Sequence, residues 1–263
     1  MEVIKINENI HKITIPYKDI FTTVLTVKTP DGVLVFDAAS YDEDVDNYIL
    51  PMLDELKIIK EDVKYIFISH NHKDHAGALK RLLEVLPQAT VLSRSEALKE
   101  TYADYSVNMP DDGDEFLKVL KVVTIPGHTD DSMAVLDTRT NTLITGDCFQ
   151  VYGIFGSQDW GSNIGFPVEH IEAVEKVRKM KVSQIFTAHD YHPCGVKAVG
   201  ETEVNSLLDL CIEPIMTVKK LILTNPGKTD AELRIIYNSN KEVPPITTRL
   251  IEATRNALCE KRI

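Results

Sequence analysis

The sequence lacks the features that mark several common protein classes. No apolar run approaches the ~18 residues that a membrane span needs, and Met1-Glu2-Val3-Ile4-Lys5 is without the basic-then-apolar order of a secretion signal. No membrane partner is expected, and the cytoplasm is the expected location. Cysteine is sparse: Cys148, Cys194, Cys211 and Cys259 stand far apart with no C-x-x-C pair, which is neither a disulfide framework nor a thiolate zinc site. Reduced thiols are expected. Positive charge is also short, with 29 Lys and Arg against 40 Asp and Glu and a net charge of −11. So acidic a surface repels phosphate backbones, and the basic residues form no stripe, so nucleic acid is not an expected partner. No G-x-S-x-G elbow, glycine-rich phosphate loop or G-x-G-x-x-G is present, so serine-nucleophile and dinucleotide chemistry have no sequence support.

What remains is an ordinary globular composition, 263 residues with 43% hydrophobic and 26% charged, enough for one large core or a core with an appendage. Val24–Val27 and Val33–Phe36, separated by Thr29-Pro30-Asp31-Gly32, predict a hairpin. Val45, Tyr48, Ile49, Met52, Leu53 and Leu56 predict an amphipathic helix over about 42–57, with Pro51 an interruption. Val63–Ser69 reads as a buried strand running straight into His70. A helix is expected over 76–86, strands over 90–92 and 119–125, and a hairpin over 133–136 and 142–145. A helix with Val168, Ile171, Val174 and Val177 on one face precedes a short strand at 185–187. Residues 149–166 have no periodicity and hold four of the twelve glycines among Phe149, Tyr152, Phe155, Trp160 and Phe166. That stretch is expected to form a lid or pocket wall. From Val204 the pattern is helical, with a kink expected at Pro214, a stop at Asn225-Pro226-Gly227, a capping box at Thr229-x-x-Glu232 and a last helix through Leu250, Ile251, Thr254 and Leu258. The expected organisation is a catalytic domain over 1–200 and a helical extension over 201–263.

Three of the eight histidines fall within six residues, in His70-Asn71-His72-Lys73-Asp74-His75. A strand ending in a turn aims His70 and His72, two residues apart, to one side, and the turn brings Asp74 and His75 round to a second point. Imidazole and carboxylate without thiolate make a nitrogen and oxygen site suited to Zn²⁺, with Fe or Mn as alternatives. His128 in Pro126-Gly127-His128-Thr129, Asp147 in Thr145-Gly146-Asp147 and His189 in Thr187-Ala188-His189-Asp190 each follow an expected strand. Each is therefore expected at a strand end.

With these residues the chain resembles the metallo-β-lactamase fold superfamily over about residues 10–195. The resemblance implies an α/β fold, a four-layer αβ/βα sandwich of two mixed sheets with helices outside, here followed by a C-terminal helical extension. It implies two Zn²⁺ per chain, one held by His70, His72 and His128 and the other by Asp74, His75 and His189, with Asp147 bridging. The implied reaction is hydrolysis by a shared hydroxide of lowered pKa that attacks a carbonyl carbon, with Asp74 as a catalytic residue orienting it.

Within the superfamily, Asp147 stands where lactam-hydrolysing relatives place a cysteine. Cys148 reads as a packed neighbour, and flavodiiron relatives carry Glu where His72 stands. The resemblance then points to hydroxyacylglutathione hydrolases and to acyl-homoserine-lactone-type lactonases, hence to a small thioester, ester or lactone as substrate. Asp147 is not followed by the Gly-Cys-Gly-Arg-like segment of glutathione-using members, and Asp130-Asp131 replaces the usual small or proline residues. Tyr152, His192 and Trp160 are the substrate-binding candidates, whereas His170 and His11 are expected on the surface. A small-molecule partner is expected, with a homodimer left open. The alternatives are a mononuclear-iron oxidoreductase resembling persulfide dioxygenases, and a metal-binding protein without turnover.

Overall fold

A computed structural model describes residues 2–157 and 160–263. The chain divides into two compact units, Met1–Val123 and Thr124–Ile263.

In the first unit β1 (Ile4–Lys5), β2 (Ile10–Tyr17), β3 (Ile20–Thr29), β4 (Gly32–Phe36), β5 (Val63–Phe67), β6 (Thr90–Leu92) and β7 (Val107–Asn108) lie side by side in chain order. The pairs from β1 to β4 are antiparallel and those from β4 to β7 parallel. Tight turns permit the first set, and the expected hairpin closes with Thr29 opposite Gly32. Parallel neighbours need crossovers, which here carry helices. Between β4 and β5 runs a helical stretch of α1 (Asp42–Asp44), a π-turn over Val45–Ile49 and α2 (Leu50–Glu55). The π-turn, closed by Leu50 N–H to the Val45 carbonyl, lets the helix pass Pro51, whose ring would crowd a carbonyl one α-turn back.

The apolar run of β5 lies between two parallel strands, and Val63, Ile66, Phe67 and the following Ile68 are buried. The single helix expected over 76–86 is two, α3 (Lys73–Ala76) and α4 (Leu79–Val85), so Asp74 and His75 fall in a helical first turn. Gly77 marks the break, where a Cβ would stand 2.4 Å from the Ser40 carbonyl oxygen. Leu79, Leu82 and Leu83 pack with Val45, Ile49, Met52, Val35 and Ile66 into one core. α5 (Glu96–Thr101) is capped by Ser95, which accepts the Leu98 N–H.

The other sheet has the order β13-β12-β11-β10-β9-β8, formed by β8 (Glu115–Phe116), β9 (Leu120–Thr124), β10 (Met133–Asp137), β11 (Thr142–Ile144), β12 (Gln184–Tyr191) and β13 (Gly195–Val199). The boundary between the units falls within β9. β10 and β11 form the expected hairpin, and α6 (Pro167–Met180) connects β11 to its parallel neighbour β12. β12 is longer than the expected 185–187, so His189 lies inside a strand and not beyond its end. Its pairing with β13 shifts register between Phe186 and Tyr191, and His189 sits in that irregular interval. Such bulges re-aim a side chain.

The C-terminal helices belong to the second unit. α7 (Gly200–Thr224) contains Pro214 without ending there, α8 (Asp230–Asn238) starts at the Thr229–Glu232 capping box, and α9 (Arg249–Cys259) closes the chain. Ile215, Val218, Ile222, Leu233, Tyr237, Ile246, Leu250 and Ile251 form their shared core, with Ile164 of the aperiodic stretch among them. Among the described residues no helix is long and apolar enough to cross a membrane.

Two histidines expected on the surface are not there. His170 is 1% exposed, because the buried face of α6 runs through Pro167, His170, Val174 and Val177, one step round from the expected stripe. Its Nε2–H donates to the Cys211 carbonyl at 3.1 Å, and burial pushes its pKa down to about 4. His11 is half-buried on β2, and burial also lowers its pKa.

Candidate metal centre

In the first unit the ligand motif begins at the carboxyl ends of two adjacent parallel strands. Phe36 and Phe67 are partners across β4 and β5, with rings stacked 5.2 Å apart, so Asp37 and Ser69 emerge side by side. Asp37 Oδ1 accepts the Ser69 N–H at 2.8 Å, and its Oδ2 accepts the Ser69 hydroxyl at 3.0 Å. Oδ2 also lies 2.7 Å from His75 Nδ1. Burial raises the Asp37 pKa, with His75 and Ser69 pulling the other way.

A carboxylate on Nδ1 fixes the His75 proton there and leaves Nε2 as the lone-pair nitrogen, 3.4 Å from Asp74 Oδ2. His70 is turned likewise: its Nδ1 faces the Ser69 hydroxyl at 3.1 Å, and its Nε2 stands 2.9 Å from His72 Nδ1. His70, Asp74 and His75 are buried and His72 is half-buried.

The second unit carries the other three. Gly146, at φ +56°, gives the left-handed turn after β11 that presents Asp147. Asp147 stands between two imidazoles: its Oδ1 is 3.1 Å from His189 Nε2, and its Oδ2 is 3.8 Å from His128 Nε2. His128 Nδ1 donates to the Asn163 carbonyl at 2.6 Å, which leaves Nε2 as its lone-pair nitrogen. The turn before His128 packs on α6, where a Cβ on Gly127 would meet His170 Nδ1 at 2.6 Å. Arg249 of α9 braces the same turn, donating to the His128 carbonyl at 3.0 Å and to Asn163 Oδ1 at 3.2 Å.

Both sets fit divalent metal ions by their donor chemistry. Each offers imidazole nitrogens and a carboxylate, and the Nδ1 atoms of His70, His75 and His128 already face Ser69, Asp37 and the Asn163 carbonyl. Buried Cys148 points elsewhere, its thiol donating to the Ile125 carbonyl, and its pKa is raised by burial.

The profile of the Metallo-beta-lactamase superfamily matches residues 18–189. The chain belongs to the metallo-β-lactamase superfamily. A hydroxyacylglutathione hydrolase of Nostoc punctiforme is 29% identical over 143 residues, covering 54% of this chain and 56% of that protein. Another, from a Nostoc species, is 25% identical over 210 residues, covering 73% and 82%. The matches with the first three curated relatives span 54–61% of those proteins' lengths. Among solved structures, a metallo-beta-lactamase family protein from Thermus thermophilus superposes with a TM-score of 0.70 at 17% identity, covering 98% of this chain and 95% of that one. At that identity the likeness shows the fold, the α/β fold of the superfamily with helices at its C-terminal end.

Of the substrate-binding candidates, Tyr152 and His192 are brought together in the second unit. Their rings are 6.3 Å apart, and the Tyr152 N–H donates to the His192 carbonyl. Trp160 is half-buried, and its carbonyl accepts the Ile154 N–H at 2.7 Å. Of the aperiodic stretch, Gln158 and Asp159 lie outside the described residues. The sequence reading passed over Asp37, Ser69, Gln150, Asn163 and Arg249. Gln150 bridges two features of this metallo-β-lactamase site: its Oε1 accepts the Asn163 N–H at 2.8 Å, and its Nε2 is 3.4 Å from Asp147 Oδ2. Asp37 had one visible signal, an aspartate directly closing the apolar run Val33–Phe36.

Proposed function

We propose that the protein is a dinuclear metal hydrolase that cleaves a small thioester, ester or lactone, with residues 201–263 as a helical extension of the catalytic domain. In this reading His70, His72 and His128 hold one ion, Asp74, His75 and His189 hold the second, and Asp147 serves both. Zn²⁺ suits the nitrogen and oxygen donors, with Fe or Mn as alternatives. The observation that carries the reading is the placement of Asp147, one carboxylate oxygen toward the Nε2 atom of each of two imidazoles, at 3.1 Å from His189 and 3.8 Å from His128. A carboxylate in that position serves two cations better than one.

When bound, such a pair lowers the pKa of a water to near neutrality and polarises a carbonyl. The chain's own groups do the rest. Asp74, whose Oδ2 lies beside His75 Nε2, orients the attacking water and accepts its proton. Asp37 and Ser69 hold His75 and His70 in place, while Asn163, Gln150 and Arg249 do so for His128 and Asp147. Geometry fixed in advance in this way costs no reorganisation at the reacting centre.

The names of the relatives at 25–29% identity support a thioester as one substrate class. The partner is then a small molecule. The test is metal analysis of untagged protein followed by a panel of thioesters, lactones and phosphodiesters. Two metal ions per chain and turnover of a thioester or lactone are expected. One iron per chain with oxygen consumption on a thiol persulfide, or full metal loading with no turnover, would replace the hydrolase reading.

A further inference from the structure

The second unit contains a cavity of about 590 Å³ that the ligand set does not use. It is lined by Tyr152 and His192 and by residues of α7 and α8 and the segment after α8, among them Glu213, Tyr237, Asn240 and Glu242. Its walls are tied to the metal ligands through the chain. Gln150, at Asp147, is two residues from Tyr152, and His189 is three from His192. At ~3.5 Å per residue, at most about 10 Å of chain separates His192 from His189, and about 17 Å separates Tyr152 from Asp147.

The lining chemistry is unusual for a binding site in an enzyme whose relatives are named for glutathione conjugates. Two carboxylates, Glu213 and Glu242, stand in the wall, and no Lys or Arg is among the lining residues. The Tyr152 hydroxyl donates to Glu213 Oε2 and so holds that carboxylate in place. Tyr237 is 5% exposed and lines the cavity, yet its hydroxyl makes no hydrogen bond among the described residues. A side chain so buried, with its hydroxyl unpaired, has that group available to a ligand. Leu221, Ile236 and Val243 complete an apolar floor.

Tyrosines, carboxylates and apolar side chains lining one cavity form an environment suited to an ammonium group. The rings attract the cation by their quadrupoles, the carboxylates by charge, and the floor receives its methyl or methylene groups. Glutathione brings two carboxylates and one ammonium at neutral pH, and its net negative charge is repelled by Glu213 and Glu242. We propose that this cavity binds a cationic ammonium group carried by the substrate, so that the hydrolysed molecule is an amino- or trimethylammonium-alkyl thioester or ester and not a glutathione conjugate. The substrate class rests on the hydrolase reading above, whereas the cavity's preference for a cation does not.

The test uses the full-length, metal-loaded protein in two arms. In the first, choline and its uncharged isostere 3,3-dimethylbutanol are titrated by calorimetry. The cation is expected to bind at least ten times more tightly than the alcohol. Glu213→Gln and Glu242→Gln, at exposed positions where folding is not at risk, are each expected to weaken the cation several-fold and to leave the alcohol unchanged. In the second arm kcat/KM is compared for acetylthiocholine and S-acetylglutathione, with at least a tenfold preference for the cation expected. Equal binding of cation and alcohol, or no binding of either, overturns the cavity assignment even if both thioesters are cleaved. A preference for S-acetylglutathione overturns it as well. Selective cation binding without turnover of any carbonyl compound upholds the cavity and overturns the hydrolase reading.

Discussion

Asp37 Oδ2 stands 2.7 Å from His75 Nδ1, across 38 residues of sequence, and both side chains are buried. The pair fixes which nitrogen of His75 is free to bind metal. Asp37→Asn keeps the size and an oxygen for the Ser69 N–H, but it replaces the oxygen that faces the Ser69 hydroxyl and His75 Nδ1 with an NH2 and removes the charge that favours the Nδ1–H tautomer. Metal affinity at the site that uses His75 is expected to fall by ~10–100-fold, read by competition with a chromophoric chelator. Unchanged affinity would remove Asp37 from the orienting role.

Asp74→Ala tests the proposed reaction more directly. Asp74 is buried in the first turn of α3 beside His75, so its loss removes a ligand and the proton acceptor together. Hydrolysis is expected to fall by about two to four orders of magnitude, with circular dichroism and thermal unfolding of the first unit little changed. Wild-type turnover in this variant would refute the assigned role.

The side chains proposed as ligands stand out in the sequence because their chemistry is written locally. His70 to His75 are adjacent in the chain, and His128 and Asp147 each follow a glycine at the end of a strand. The residues that aim them were not legible, since their partners are distant: Asp37 is 38 residues from His75, Asn163 is 35 from His128, and Arg249 is 121 from His128. Each reads alone as a loop or surface residue. His170 was misread for a related reason. Helical periodicity in apolar residues placed the buried face on Val168 and Ile171, but a neutral histidine with its Nε2–H bonded to Cys211 is as much at home in a core. The strand leading to His189, expected over 185–187, extends to Tyr191, because the polar His189-Asp190 pair that interrupts its apolar run still lies within the strand.

At Gly127, packing against α6 bears on the position of His128, a proposed ligand. A methyl group there would fall 2.6 Å from His170 Nδ1 and 2.9 Å from its Cα. The helix backbone cannot yield that distance, so the Pro126–His128 turn must move. Gly127→Ala is expected to cost about 1–3 kcal/mol in unfolding free energy and to weaken metal binding at His128. Denaturant titration and chelator competition on the same sample measure the two effects. Wild-type stability together with wild-type metal affinity would show that the turn tolerates the shift.

His170 itself makes stability depend on acid. Its pKa is about 4 in the folded chain, held down by complete burial, against ~6.5 for a solvated imidazole. The unfolded chain therefore takes up a proton between those values that the folded chain refuses, and stability falls as pH falls through this window. Above pH 6.5 both states are neutral at this position and the effect is absent. The loss expected from His170 alone is about 3 kcal/mol by pH 4, most of it spent by pH 5. His170→Gln keeps a donor for the Cys211 carbonyl and has no proton to gain. The ligand histidines and carboxylates titrate in both proteins, so the difference between them isolates His170. Urea titrations at pH 7.5 and pH 5 are expected to show the variant losing about 2 kcal/mol less than wild type on acidification. Equal acid losses in the two proteins would mean that His170 is protonated or solvated in the native state, and the buried stripe assigned to α6 would have to be rotated back toward Val168 and Ile171.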